Sequence, residues 1–451
     1  MSEPRRLWDK GEALDARIHR FTVGDDPALD RELLHWDCLG SAAHVRTLQR
    51  AGLLTADETA SLLGELAAID ARARAGRFDI SPEQEDCHTA IENHLAQRCG
   101  PAGQKVHTGR SRNDQVAAAM RLFMRHHALR FAAGLEALIA ELLGRLAQDG
   151  GVRMPGYTHM QPAMPSSVGQ WLHAHAEAAL EQLRAVEDLL TRLDSCPLGT
   201  GAGFGVGLPL DREYTARLLG FARAQRSPID VQNSRGRLET YFARVAADVA
   251  AIIEKLACDL LIYTGPPYGF FELPAALTTG SSIMPQKRNP DVLELMRGWA
   301  GRLRARVVEL EWVRGKLPSS YHRDLQLTKA PTLQAAAGAQ DLLEVGAAVM
   351  RELAVRKERL AAAMSDELYA TDAAYALVRR GVPFREAYAR IGEQVRAGVF
   401  RADAGARAGA AGLVDERVLS ELRADVAEAA GQIARIRERV DAAEGALLNC
   451  G

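Results

Sequence analysis

Gly280-Ser281-Ser282-Ile283-Met284-Pro285-Gln286-Lys287-Arg288-Asn289-Pro290-Asp291 joins a polar loop to the start of a helix. Thr278, Thr279, Gly280 and the serine pair resist regular structure. Pro285 and Pro290 each remove a backbone donor and restrict the residue before them. Asn289 is expected as the helix N-cap, Pro290 at the first helical position and Asp291 in the first turn. Apolar Val292, Leu293, Leu295, Met296 and Trp299 then follow at helical spacing. A hydroxyl-rich segment carrying Lys287 and Arg288 is thereby tied to the positive end of a long helix, an arrangement suited to a carboxylate or phosphate. The same residues also describe a basic, solvated turn, so the loop needs the rest of the chain to give it meaning.

Around this loop the sequence is rich in long helical stretches. One runs from Arg237 to about Tyr263 and another from the loop to about Arg314. Upstream, residues 116–148 are rich in Ala and Leu with charges interspersed, and residues 166–193 continue the pattern. Two further polar loops, 105–115 and 156–165, feed those helices. Helices of this length with few alternating β-branched stretches predict an all-α chain built on a long central helical bundle, with the loops at its ends. The expected division is a mostly helical leading domain over 1–110, the bundle over 111–358, and a small helical domain of shorter helices over 359–451. In the first of these, helices are expected over 30–54, over 56–75 capped by Thr55, and over 83–98 started by Ser81-Pro82.

Several tempting sites do not pass inspection. His88 and Glu92 share a helical face at i, i+4 spacing but lack a His-Glu-x-x-His pattern or a third ligand, and read as a surface or interface ion pair. The run from Gly199 to Gly207 offers no Gly-x-Gly-x-x-Gly and no P-loop lysine, and reads as a flexible connector. His173 and His175 do not share a face and read as structural. The six cysteines, Cys38, Cys87, Cys99, Cys196, Cys258 and Cys450, are scattered without a Cys-x-x-Cys pair, so neither a disulfide framework nor a zinc ribbon is indicated. A net charge of −2 argues against a nucleic-acid partner. No apolar run is long enough for a membrane span, and Met1 to Arg6 lack the apolar core of a signal peptide, which together predict a cytoplasmic protein.

The pattern Gly-Ser-Ser-x-x-Met-Pro-x-Lys-x-Asn-Pro resembles the signature loop of the fumarase/aspartase superfamily, lyases that release fumarate. Within it, His107 to Gln115, Gly156 to Pro162, Leu317 to Lys329, Tyr369 to Asp372 and Gly381 to Ala387 resemble argininosuccinate lyases. The sequence departs from that family in three places. Leu7-Trp8-Asp9-Lys10-Gly11 replaces its usual Trp-Gly-Gly-Arg-Phe, Asp26 stands where a serine is common, and Arg288 replaces a second lysine as in adenylosuccinate lyases.

The resemblance implies cleavage of argininosuccinate to arginine and fumarate, without metal or organic cofactor, by a homotetramer whose sites draw loops from several subunits. A base, a cationic clamp and an acid are needed in a site closed to water. The resemblance assigns Ser281 as base, Lys287 and Asn289 to the charge developing on the substrate carboxylate, His159 to the acid side and Glu294 to its orientation. It assigns Ser111, Arg112, Asn113, Thr158, Arg235, Tyr321, Gln326 and Lys329 to substrate binding, with Asp86 and His88 assisting from the leading domain. Adenylosuccinate lyase and a non-catalytic, crystallin-like protein on the same fold are the competing readings. The Gly-Arg-Ser-Arg-Asn-Asp-Gln segment argues against the first, and the joint presence of Ser281, Lys287, Asn289 and His159 against the second.

Overall fold

A computed structural model describes residues 15–409 and 412–448 of the 451-residue chain. The divergent segment Leu7 to Gly11 and Cys450 lie outside the described residues.

Five long helices make the body: Arg112–Asp149, Val168–Leu193, Arg237–Tyr263, Asp291–Arg314 and Lys329–Glu352. The first has 38 residues, about 57 Å at 1.5 Å per residue. It packs on Val168–Leu193 and Lys329–Glu352, and Arg237–Tyr263 packs on the other three. Their apolar stripes meet in one continuous core that includes Leu135, Leu142, Leu183, Leu190, Val249, Ile253, Leu303 and Leu343. The all-α bundle expected from helical spacing is the architecture found.

Local chemistry sets the helix ends, not always at the residues the sequence suggested. Thr55 caps Ala56–Arg74 with a full capping box, its partner being Glu58. The helix expected from residue 30 begins at Leu34, after a 3-10 turn over Asp30–Glu32, and stops at Arg50. Ser81-Pro82 starts no helix. Ser81 N–H is taken by the Gln84 side chain in a turn, and Asp86 caps Cys87–Cys99 instead, accepting from Thr89 N at 2.8 Å. The long helix starts at Arg112 rather than Val116 because Ser111 and Asp114 form a capping box.

Residues 156–165 are not a loop but most of an antiparallel hairpin, Arg153–Thr158 with Gln161–Ser167. Around the signature loop, Thr279 pairs with Asn289 and Gly280 with Arg288. Asn289 is thus in a short ladder, its side-chain amide turned back to Gly280 O, and Pro290 rather than Asn289 precedes the first turn without a side-chain cap.

The glycine-rich 199–207 segment is anchored rather than free. Gly199 and Gly201, both at positive φ, donate their N–H groups to the fully buried Asp114 carboxylate at 3.0 and 2.8 Å. Beyond the bundle, two small apolar clusters centred on Ile391 and Tyr369 stand apart from the main core. The chain then returns: Glu416–Leu447, a helix of 32 residues where only short ones were expected, lays Leu419, Leu422, Ile433 and Val440 into the main core.

Candidate functional site

Five stretches far apart in sequence converge on one polar cavity of about 110 Å³. The start of the Arg112–Asp149 helix gives Arg112, Asn113 and Val116. The junction before Arg237–Tyr263 gives Arg235, and the turn before Lys329–Glu352 gives Tyr321, Arg323, Gln326 and Lys329. Asp26 and Asp86 enter from the leading segment. Seven of the residues singled out from sequence are therefore neighbours here: Arg112, Asn113, Arg235, Tyr321, Gln326, Lys329 and Asp86.

Each is held by its surroundings. Asp86 accepts from Arg112 Nη1 at 2.6 Å as well as from Thr89 N–H. Burial alone would raise the Asp86 carboxyl, but His88, Arg112 and the helix N-terminus outweigh it and leave it lowered. Arg112 is in turn held above its ordinary value by Asp86 and Glu85, against its own desolvation. Arg235 lies over the Tyr321 ring, 5.1 Å from its centroid. Its segment is tied to the long helix by buried Arg121, which donates to Ser195 O at 2.6 Å, Gln225 Oε1 at 2.8 Å and Ser234 Oγ at 3.1 Å. Gln326 donates to Thr22 O and Val23 O, and Arg323 to Thr22 O, pinning the turn to the leading segment.

Lys329 is almost fully buried, with its ammonium 2.6 Å from Asp30 Oδ1 and 3.1 Å from Asp26 Oδ2. Both carboxylates hold it protonated well above its ordinary range despite burial. Asp26 bears the cost of the arrangement: burial raises its carboxyl to about 6, Lys329 notwithstanding, and Asp30 adds repulsion. One ammonium serves two acids, and Asp30 takes the shorter contact.

His88 does not line the cavity. It is buried with Nδ1 on Asp37 Oδ2 at 3.0 Å, and Glu92, also buried, pairs with His107 and Arg110. The surface or interface ion pair expected between His88 and Glu92 is thus replaced by separate partners for each residue. Burial works against a charged His88, but Asp37, Asp86 and Asp30 outweigh it and raise the ring above its ordinary value. Asp30, Cys87 and His88 present ligand atoms within 4.8 Å of one another. They do not suit a metal ion, because the Lys329 ammonium and Cys87 N–H already occupy Asp30. Ser111 serves its own helix as the cap, accepting from Asn113 N at 3.3 Å.

The remaining predicted residues lie elsewhere. Thr158 and His159 are exposed at the tip of the hairpin, where His159 (φ 53°) and Met160 (φ 60°) form the two-residue turn. Positive φ at both central positions is the geometry of a type I′ turn, usually given to Asn or Gly, and it costs a residue with a Cβ on the order of 1–3 kcal/mol. Tyr157, packed on Tyr268, Tyr263 and Phe270, anchors the hairpin beneath that strained tip. In the signature loop, Ser281 Oγ accepts from Ile283 N at 3.4 Å and Met284 N at 3.2 Å, while Lys287 and Glu294 are exposed. None of Ser281, Lys287, Asn289, Glu294, Thr158 and His159 lines the cavity.

Besides apolar Val116, two cavity residues were not singled out as binding groups from sequence. Arg323 sat inside the quoted Leu317 to Lys329 segment, and Asp26 was noted only as a departure. Their spacing to cationic or acidic neighbours is tertiary, so only the segment match pointed to them.

A family model described as Lyase matches residues 13–305, and one described as Argininosuccinate lyase C-terminal matches residues 367–413. A relative named argininosuccinate lyase from Sorangium cellulosum is 44% identical over 392 residues, 87% of this chain and 91% of that one. Another of that name, from Stenotrophomonas maltophilia, is 45% identical over 384 residues, 85% and 89% of the two chains. Among solved structures, EDDS lyase in complex with formate matches with a TM-score of 0.78, covering 97% of this chain and 95% of that one. At 24% identity that likeness is one of fold.

Proposed function

The chain belongs to the argininosuccinate lyase family of carbon–nitrogen lyases, which split argininosuccinate into arginine and fumarate, and we propose that it does so by β-elimination with Ser281 as base. The observation that carries this reading is the cavity, where Arg112, Asn113, Arg235, Tyr321, Gln326 and Lys329 meet from three segments. Argininosuccinate has three carboxylates, an amine and a guanidinium, and the forked guanidinium groups of Arg112, Arg235 and Arg323 suit its carboxylates. The match over residues 367–413 favours this substrate over adenylosuccinate.

Ser281 removes the proton next to the carboxylate. Its hydroxyl is a weak base in water, and the two backbone N–H groups aimed at Oγ support the alkoxide form by donating to it. Lys287 and Asn289 then meet the charge that develops on the substrate carboxylate. His159 delivers the proton to the departing guanidine, with Glu294 orienting it. Asp86 locks Arg112, and His88 supports Asp86 from behind.

We further propose a cytoplasmic homotetramer in which one subunit's cavity is completed by the signature loop and hairpin of its neighbours. The exposure of Lys287 and His159, and the placement of Ser281 away from the cavity, support that sharing. No helix among the described residues is long and apolar enough to cross a membrane.

Fumarate absorbance in the ultraviolet, with argininosuccinate and adenylosuccinate as substrates, tests the activity. Ser281→Ala is expected to abolish it; an active Ser281→Ala would remove Ser281 from the chemistry. Mixing inactive Ser281→Ala with inactive Arg235→Ala and re-associating the subunits should restore part of the activity. Sites complete within one subunit would restore none. A folded oligomer releasing fumarate from neither substrate would favour the non-catalytic reading.

A further inference from the structure

Arg235 also lines a second cavity, of about 170 Å³, together with Gln232, Arg314, Ser319 and Ser320. It is the one residue common to this cavity and the substrate cavity. Gln232 is fully buried, yet neither its Nε2 nor its Oε1 has a partner among the described residues. The Nε atoms of Arg235 and Arg314 are buried and unpartnered as well. No acid lines the space. The acids nearby are engaged or short of contact: Asp230 holds Arg237, Glu311 holds Arg244, and buried Glu239 feels Arg235 without forming an ion pair among the described residues. Two non-glycine residues at positive φ, Lys316 and Ser320, bracket the wall, and Asn233 Oδ1 fixes it by accepting from Ser320 N at 2.7 Å. Water would satisfy the amide but leave two cations facing one cavity without a counter-charge.

We propose that this second cavity is a phosphate site, and that its occupancy regulates the substrate cavity through Arg235. Guanidinium forks on Arg235 and Arg314 suit phosphate oxygens, and the Gln232 amide N–H donates to another. Hydrogen phosphate also carries an O–H for Gln232 Oε1, which sulfate lacks, so the site prefers phosphate to sulfate. Its volume is well below the roughly 300–1,000 Å³ of pockets for drug-sized ligands, so it takes phosphate itself or the end group of a small phosphomonoester. An anion here shares the charge of Arg235, and a substrate carboxylate then meets a weaker partner. That regulatory step rests on the functional reading above, whereas phosphate binding itself does not.

The test titrates wild type, Arg314→Gln and Gln232→Met with inorganic phosphate, methyl phosphate and sulfate in a calorimeter at constant ionic strength, and repeats fumarate assays with phosphate present. Wild type should bind phosphate more tightly than sulfate, and methyl phosphate binding equally well would identify the end group of a phosphomonoester as a ligand. Arg314→Gln, at a half-buried position, should weaken phosphate about tenfold or more, and Gln232→Met should erase the preference over sulfate. Phosphate should raise the wild-type KM to a plateau with kcat little changed, and Arg314→Gln should be insensitive. Phosphate binding unaffected by Arg314→Gln, or a KM rising without limit as phosphate competes for the substrate cavity, would overturn the proposal. So would the absence of binding at millimolar phosphate, which would leave the cavity to water. A wild type that binds phosphate through Arg314 yet releases no fumarate would sink the functional reading while upholding the phosphate site.

Discussion

Replacing Asp26 by asparagine removes a charge that the folded chain holds unfavourably. Its carboxyl is raised from 3.8 to about 6 on folding, and the shift already includes the attraction of Lys329. Between those values the folded protein binds more protons than the unfolded chain, so this group's contribution improves as pH falls from 8 towards 4 and is least favourable above 6. A rise of about two units corresponds to about 3 kcal/mol at pH 8, the cost of keeping Asp26 ionised in its site. Asparagine has nearly the same shape and no charge, and Asp30 remains to hold Lys329. Asp26→Asn should therefore raise the thermal midpoint at pH 8, on the order of a few degrees, and lose that advantage near pH 4. Scanning calorimetry of both proteins at the two pH values and one protein concentration gives the answer. A variant less stable than wild type at pH 8, or a difference independent of pH, would refute the reasoning and mean that the Asp26–Lys329 contact is a net support.

His88 gives a dependence of the same direction at higher pH. Its ring is raised above the ordinary 6.5, so its stabilising contribution is complete below that pH and is lost as pH rises through the folded value. His88→Asn should flatten that alkaline decline in urea titrations and weaken substrate binding through Asp86. Asp114→Ala strips acceptors from Ser111, Gly199 and Gly201 N–H groups and should cost about 3 kcal/mol or more in urea unfolding, with KM rising as Arg112 and Asn113 shift. Gly236, at φ 74° beside Arg235, has no room for a side chain, since a Cβ there would lie 2.7 Å from Arg314 Cβ. Gly236→Ala should raise KM several-fold in fumarate assays by displacing Arg235. A normal KM would show that Arg235 is not held by this turn.

The long helices were legible because their apolar spacing repeats over many turns, and the Thr55 capping box is a purely local signal. The hairpin was not. Pro155, Pro162 and Pro165 with Gly156 resemble loop sequence, and only their mutual pairing across the His159–Met160 turn and the packing of Tyr157 on distant rings make them a ladder. At Asp86 two local signals competed, and the Gln84 side chain closed Ser81-Pro82 into a turn that left the cap to Asp86. Of the site, the residues within matched segments converge as a cavity, but Asp26 depends on a lysine 303 positions away, a distance that no local pattern spans. The Glu416–Leu447 helix escaped notice because its apolar positions are sparse and its partners lie in helices read much earlier.

That last helix also bears on how the chain matures. Its Arg437 and Arg439 donate to Leu129 O and Gly220 O, Glu444 pairs with buried Arg125, and Leu447 O accepts from Arg46. All of those partners leave the ribosome hundreds of residues before it does. During translation the groove it fills stays open, and Arg125 waits without its acid. Contacts of such long sequence separation form slowly and leave apolar surface bare meanwhile. A nascent chain stalled before Glu416 should therefore be a strong chaperone client, and release past Leu447 should end that dependence.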